Sequence, residues 1–399
     1  MNQEINLPPA QIGTRYSTIE GVDDDDVRAI ETRVVLEQGV EGSSAPPEVI
    51  ACALMRDGSI STAELMQAAK ERVVIREPRL HTFVPLYTTN HCDSECKMCA
   101  MRKSNDKLKR KFATKLEIEE QLRILYESEG VRGVGLLTGE YEGTFSRLAN
   151  AFRVGWATRT ALDMGFERVY FNIGSMQPDE IQALGEWIEP DEPVTMCVFQ
   201  ETYDRQKYVR FMGGGGPKTD YDQRLRSFDH WIDAGFRYVN PGVLVGLSDE
   251  ETELVRLVSH VSHLARRGAI VDVSLPRLRP AQGLRNASGV PDDKYLRMLA
   301  IVAFVCPDQR LVFTTRESAE VQERAIDLCG VFSPGSPDVA PYRRGGRAQN
   351  DEETSQFLVA DLRRPSEILS ALEATGREVA HFVGAPEEWA APAERGEVA

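Results

Sequence analysis

The sequence predicts an α/β fold: a (β/α)8 barrel of the TIM type with a helical N-terminal extension and a short C-terminal one. Three observations carry this. From His81 onward, short apolar runs alternate with stretches of helical period. Roughly eight such strand–helix units occupy about 255 residues, the size and rhythm of a closed barrel. Three cysteines then follow the first strand directly, on the face where barrels carry their chemistry. An open doubly wound sheet shares this alternation, and periodicity alone does not decide closure.

Taken in order, residues 1–22 are polar and punctuated by Pro and Gly, and are expected to be loose. Asp23–Gly39 and Ser61–Val74 read as helices on either side of the Ser-Ser-Ala-Pro-Pro linker at 43–47. The second opens on a capping box, with Ser61 bonding forward and Glu64 back. Strands are expected at 81–87, 134–137, 168–173, 194–199, 238–245, 270–275 and 310–315, with a short last one at 330–333. Between them, one helix starts at the box Thr114/Glu117, sets Ile118, Leu122 and Leu125 on one face, and stops at Gly130. Another sets Leu254, Leu257, Val258 and Val261 together and stops at Gly268. The expected division is 1–78 helical extension, 79–335 barrel, and 336–399 C-terminal extension. The last holds a helix over Pro365–Thr375 and an Ala/Glu/Pro tail of disordered composition.

The 399 residues carry a net charge of −15, which argues against nucleic acid or an anionic membrane as partner. The one dense basic run, 107–111, reads as a solvated loop or as a counter-charge to an anionic group beside it. No apolar stretch approaches membrane-spanning length, and the amino terminus lacks a signal pattern. Seven cysteines make a disulfide framework improbable, so a cytoplasmic location is expected.

Cys92, Cys96 and Cys99 carry the function argument. Their C-x3-C-x2-C spacing can converge on one centre but leaves a four-coordinate site one ligand short. Structural zinc would need a fourth ligand and a second ligand pair. His91 is too close to Cys92, and no second pair is visible. A [4Fe–4S] cluster on three thiolates would have one iron free to bind a small molecule. Cys52, Cys197, Cys306 and Cys329 stand singly in apolar surroundings, where cysteine acts as a small hydrophobe. Gly213–Gly216 lacks the spacing of a dinucleotide fingerprint. His260 and His263 read as solvated helix residues.

CDSECKMC after PLYTTN resembles the signature of radical S-adenosylmethionine (SAM) enzymes. The stretches RLHTFVPLYTTN, RGVGLLTGEYEG, VYFNIGSM, VTMCVFQETYDR, YVNPGVLVGL, PRLRP, FTTRES and SPGSPDVAPYR extend the likeness over residues 50 to about 365. They resemble the aromatic amino acid lyases, and among these the tryptophan lyases that make 3-methyl-2-indolic acid for nosiheptide-type thiopeptides. The tyrosine lyases of thiamin and hydrogenase-cofactor assembly stand in the same branch. The resemblance implies one [4Fe–4S] cluster and SAM, and an electron donor such as a flavodoxin or ferredoxin. It implies free L-tryptophan as substrate, with hydrogen taken from its amino group, fragmentation beside Cα and migration of the carboxyl fragment to indole C2. L-tyrosine, giving p-cresol and dehydroglycine, is the alternative. A non-catalytic metal or iron–sulfur protein is the distant one. No cysteine follows Cys329, so a C-terminal second cluster is not expected.

Further residues find places on this picture. Thr138-Gly139-Glu140 closes the second strand, where a glycine allows close backbone approach and a carboxylate can accept from an ammonium. By resemblance, this is the motif that meets the amino group of SAM. Gln200 and Glu201 can bond a ribose diol, with Asn172 and Ser175 as further candidates. The segment from Val243 to Gly246 would face the adenine edge. Arg316 offers a planar fork for a carboxylate, Ser333 a hydroxyl for the same group, and Tyr87 a contact to the substrate amino group. The resemblance assigns these three to the substrate. Arg277 and Arg279 are alternative carboxylate partners.

Overall fold

The computed structural model describes residues 22–76, 78–283 and 289–386. All but Val22 of the loose segment expected at 1–22, and most of the expected tail, fall outside these.

The chain opens with α1 (Asp24–Arg28), α2 (Thr32–Gln38), α3 (Pro47–Arg56) and α4 (Thr62–Arg76). The single helix expected over Asp23–Gly39 is thus two, and neither Gly nor Pro marks the break. Asp23 caps the first by accepting from Asp25 N–H, while Gly39, at φ 84°, ends the second. The box at Ser61/Glu64 forms in both directions.

Nine parallel strands follow: β1 (His81–Thr82), β2 (Val84–Tyr87), β3 (Gly133–Leu137), β4 (Arg168–Asn172), β5 (Val194–Glu201), β6 (Tyr238–Val243), β7 (Ile270–Ser274), β8 (Arg310–Thr314) and β9 (Val331–Ser333). Their order is β1-β9-β8-β7-β6-β5-β4-β3-β2. What the sequence presents as one strand at 81–87 is broken at Phe83. His81 and Thr82 pair with Val331 and Phe332 of β9, while Val84–Tyr87 pair with Val134–Leu137 of β3. The two halves of one strand therefore join the first and last edges, and the sheet curls into a nearly closed barrel. This settles the choice between barrel and open sheet.

The helices between strands are α5 (Lys115–Arg123), α6 (Thr144–Met164), α7 (Pro178–Gly185), α8 (Arg205–Met212), α9 (Tyr221–Asp233), α10 (Glu250–Arg266), α11 (Asp292–Val305) and α12 (Ala319–Ala325), with α13 (Pro365–Glu373) last. α5 begins at the predicted Thr114/Glu117 box. α10 buries the predicted face of Leu254, Leu257, Val258 and Val261, and His260 with it. His260 is therefore not solvated. Its Nδ1 shares a 2.8 Å hydrogen bond with the Tyr203 hydroxyl. The N-terminal helices join the same core: α4 packs on α11, α3 on α10, and the Arg297 guanidinium bonds the carbonyls of Leu54, Asp57 and Ile60.

Phe83 turns into the barrel at the break and stacks on Tyr170, with ring centroids 3.9 Å apart. Gly135 makes room, because a Cβ there would lie 2.9 Å from the Phe83 ring. Below them, fully buried Asp272 accepts from the Tyr170 hydroxyl and from Arg310 Nε, both at 2.7 Å. A buried carboxylate needs such partners. This layer plugs the barrel toward the amino ends of its strands and leaves the carboxyl ends open.

After β9, residues 336–361 cross that open end as a strap. Ala340 N–H bonds Tyr87 O, Ala100 N–H bonds Gln356 O, Leu358 N–H bonds Pro280 O, and Ala360 N–H bonds Thr315 O. The chain then returns to the opposite end, where Val379 pairs with Leu80 and Phe382 with Val131.

Candidate active site

The mouth of the barrel encloses a cavity of about 210 Å³ under the strap. Cys92, Cys96 and Cys99 line one side, carried by the loop between β2 and α5. Tyr87, Thr138, Gly139, Glu140, Asn172, Glu201, Arg279, Arg316 and Ser333 line the same cavity. Residues spread over more than 240 positions of sequence thus converge at the strand ends.

The cysteine loop is held by β3. Asp93 N–H bonds Glu140 O at 2.8 Å, and Glu140 N–H points at Cys92 Sγ from 3.4 Å. Gly139 permits this approach, because a Cβ there would lie 2.0 Å from His91 O and 2.6 Å from Cys92 Cβ. Burial pushes the Cys92 thiol up to about 11 and also raises Cys96 and Cys99. Such buried thiols become thiolates when a metal centre takes the place of the proton. N–H donors already face two of them: Ser94 and Glu140 at Cys92, and the Gln356 side chain at Cys99. Among the described residues, no three His, Cys, Asp or Glu side chains stand close enough to hold one metal ion. Three soft donors on one cavity wall, with N–H groups aimed at sulfur, suit an iron–sulfur cluster, whose cube is wider than a single ion.

Next to the thiols sits a compensated charge cluster. Arg224 Nη1 bonds Glu140 at 2.8 Å, Lys218 Nζ bonds Glu201, and Lys218 lies 3.8 Å from Glu140. All four are largely buried. Burial opposes the charge of Glu201, but Lys218 and then Arg224 hold its carboxyl below the usual range. Lys218 arrives on the glycine loop: a Cβ at Gly213 would lie 2.7 Å from Glu95 O, and one at Gly216 2.6 Å from Asp93 O. Two of the four glycines that fail as a nucleotide fingerprint, Gly213 and Gly216, instead let this loop pack on the cysteine loop.

Not every predicted residue reaches the cavity. β5 carries a bulge between Phe199 and Glu201, and Glu201 takes a φ of 67°. That turns Glu201 inward and Gln200 outward, where its Nε2 bonds Tyr221 O at 3.3 Å. Ser175 lines a separate polar pocket behind Glu140, with Gln177 and Glu180. Val243 is fully buried and does not line the cavity, whereas its neighbour Leu244 does. Arg277 is committed elsewhere: Glu317 and Asp292 take its guanidinium.

The remaining cations differ. Arg316 lies over the Phe357 ring, 3.7 Å from its centroid, and Arg279 Nε is buried without a partner. Among the described residues, neither forms an ion pair with a carboxylate, though Glu201 and Glu317 act on Arg316 through space. Burial lowers the Arg316 pKa, so an incoming anion relieves a desolvated charge. Ser333 shares this wall. Tyr87 donates its hydroxyl to Gln356 Oε1 at 2.6 Å, which leaves the phenolic lone pairs for a donor. Gln356, Phe357, Lys218 and Arg224 escape the sequence reading. Nothing local marks the first two, which lie in a segment with no strand or helix of its own.

Comparison with known proteins places this arrangement. Residues 274–378 match the Biotin and Thiamin Synthesis associated domain. The chain is 30% identical over 308 residues to 2-iminoacetate synthase of Escherichia coli (strain K12), covering 74% of this chain and 75% of that protein. It is 29% identical over 311 residues to the 2-iminoacetate synthase of Salmonella typhimurium, with the same coverage. Among solved structures it is similar to HydG, a maturase of the [FeFe]-hydrogenase, at a TM-score of 0.76 and 26% identity, covering 94% of this chain and 80% of that one. Methylornithine synthase, at a TM-score of 0.63 and 16% identity, shares the fold.

Proposed function

Because the chain belongs to the 2-iminoacetate synthase family, radical SAM lyases that act on an aromatic amino acid with a [4Fe–4S] cluster, we propose that it cleaves the Cα–Cβ bond of free L-tyrosine. The products are p-cresol and 2-iminoacetate. The observation that carries an amino acid substrate is Arg316. It is a desolvated guanidinium that forms no ion pair with a described carboxylate, in one cavity with three cysteines and a tyrosine oxygen free to accept.

The cluster and SAM supply the one-electron chemistry when bound, with Cys92, Cys96 and Cys99 as ligands. A small electron carrier, a flavodoxin or ferredoxin, supplies the electron. Everything else falls to the chain. Glu140, Thr138 and Gly139 border the SAM side, with Glu201 and Asn172 in reach of its ribose and Arg279 as receptor for its carboxylate. Arg316 and Ser333 hold the substrate carboxylate, and Tyr87 accepts from its amino group. The stacked pair Phe83/Tyr170 forms the apolar floor under the side chain. The strap and the plugged barrel exclude water, which a reactive radical requires.

Tyrosine takes precedence over the tryptophan expected from the motif stretches, because the curated relatives are named for 2-iminoacetate. That is the Cα, amino and carboxyl fragment left when an aromatic side chain departs. The tryptophan reading keeps one supporting observation, the likeness of the strand-end stretches from RLHTFVPLYTTN to SPGSPDVAPYR. Anaerobic turnover with reductant and SAM, read by mass spectrometry, decides. p-Cresol from L-tyrosine is expected. 3-Methyl-2-indolic acid from L-tryptophan would replace the substrate, and turnover of neither would overturn the proposal.

A further inference from the structure

Gln356 touches both halves of the cavity. Its Nε2 donates to Cys99 Sγ at 3.4 Å, and its Oε1 accepts from the Tyr87 hydroxyl at 2.6 Å. The chemistry of the partners fixes this orientation: a thiolate only accepts, and the amide oxygen is the one end that can take the phenolic proton. The amide is held in place by its own backbone, since Gln356 O accepts from Ala100 N–H, one residue after Cys99, and Gln356 N–H donates to Pro337 O. Phe357 follows directly and lies under Arg316. One dipeptide of the strap therefore meets a cysteine ligand, the tyrosine and the arginine of the proposed amino acid site.

We propose that Gln356 is a positioning residue that couples occupancy of the amino acid site to the reduction potential of the cluster. The inference rests on the amino acid reading above. Hydrogen bonds to the sulfurs are among the levers that set the potential of such a cluster, and an N–H donor stabilises the reduced, more negative form. The same amide receives the Tyr87 proton. When an ammonium donates to the Tyr87 oxygen, the phenol becomes a stronger donor to Oε1. The polarised amide then becomes a stronger donor to sulfur, because linked hydrogen bonds reinforce one another. Substrate binding thus favours cluster reduction, and an empty site disfavours it. Idle cleavage of SAM is restrained accordingly.

The test is an anaerobic redox titration of the reconstituted full chain, followed by electron paramagnetic resonance, with and without L-tyrosine or L-tryptophan. The wild type is expected to become easier to reduce when the amino acid it turns over is present. A tenfold change in the reduction equilibrium corresponds to about 59 mV for one electron. Gln356→Leu is expected to be harder to reduce and to lose the response to amino acid. Gln356→Glu keeps the shape but, when ionised, has no N–H for sulfur, so it separates hydrogen bonding from packing and is expected to behave like the leucine variant. Tyr87→Phe keeps the amide on Cys99 and is expected to lose the response, with a resting potential that moves less than in the Gln356 variants. If Gln356→Leu and Gln356→Glu titrate and respond like wild type, the proposal is wrong. If Gln356→Leu fails to retain iron and sulfide, Gln356→Glu and Tyr87→Phe still decide. Turnover of neither amino acid would sink the substrate reading, while the resting potentials of the Gln356 variants would still test the bond to Cys99.

Discussion

The guanidinium of Arg316 rests on the ring of Phe357, 3.7 Å from its centroid, and among the described residues Glu201 and Glu317 act on its charge without forming an ion pair with it. The two residues come from different elements at the same end of the barrel, a strand end and the strap. The ring holds the planar fork in place without neutralising it. A guanidinium so placed keeps its fork open to an anion brought from outside.

Arg316→Ala removes both bonds of the fork, and Arg316→Lys keeps the charge but not the planar pair. A charge-assisted bidentate contact is worth roughly 2–4 kcal/mol, so kcat/KM for the amino acid should fall about 30- to 1000-fold in the alanine variant. The lysine variant should recover only part of this. Iron and sulfide content should match wild type. A normal KM would remove Arg316 from the substrate site.

Gly139→Ala tests how the cysteine loop is seated. The new methyl carbon would meet a backbone carbonyl, His91 O, at 2.0 Å. A backbone atom cannot swing aside like a side chain, so the loop must shift and Cys92 with it. The expected result is a folded barrel by circular dichroism that retains clearly less iron and sulfide after reconstitution. Full retention would show that the loop tolerates the displacement.

Arg224→Met tests the charge cluster. Arg224 is 2% exposed and bonds Glu140 at 2.8 Å, beside Lys218 and Glu201. Removing one cation leaves two carboxylates to share Lys218. Breaking a buried pair in this way costs about 3–5 kcal/mol, more than the pair itself contributes. Arg224→Met should lower Tm by several degrees and weaken SAM binding in an equilibrium titration, and Arg224→Met/Glu140→Gln should recover part of the lost stability. Additive losses in the double variant would show that the two side chains act separately.

The barrel was legible because its signals are local. Alternating apolar runs, the Thr114/Glu117 box and the three closely spaced cysteines can each be read within a few residues. The break at Phe83 was not, because it depends on Gly135 and Tyr170 in neighbouring strands making room for one ring. Gln200 was misplaced for a related reason: a bulge reverses which neighbour faces inward, and the positive φ of Glu201 has no marker in a strand without glycine. Arg277 and Arg279 look equivalent in PRLRP, yet Glu317 claims the first and leaves the second to the cavity. Gln356 lies 257 positions from Cys99, so only the folded strap brings them together.

His260 predicts a pH dependence with a definite sign. Its ring is 1% exposed, and burial, reinforced by His263 and opposed by Asp229, holds its pKa down to about 3, from 6.5. The folded state therefore keeps the ring neutral where the unfolded chain protonates it. The stabilisation is complete above about pH 6.5 and is lost progressively as pH falls toward 3. Between pH 6.5 and 4.5 the loss is about 2–3 kcal/mol. Glu253, raised to about 7 by burial, works the other way, since its contribution shrinks as pH climbs from 4.5 to 7. Comparing wild type with His260→Phe cancels the glutamate. At pH 7 the variant should be less stable, because the Tyr203 hydroxyl loses its partner. On acidification its Tm should fall less steeply than that of wild type, so the two curves converge toward pH 4.5. Parallel curves over that range would mean that His260 takes up no proton on unfolding.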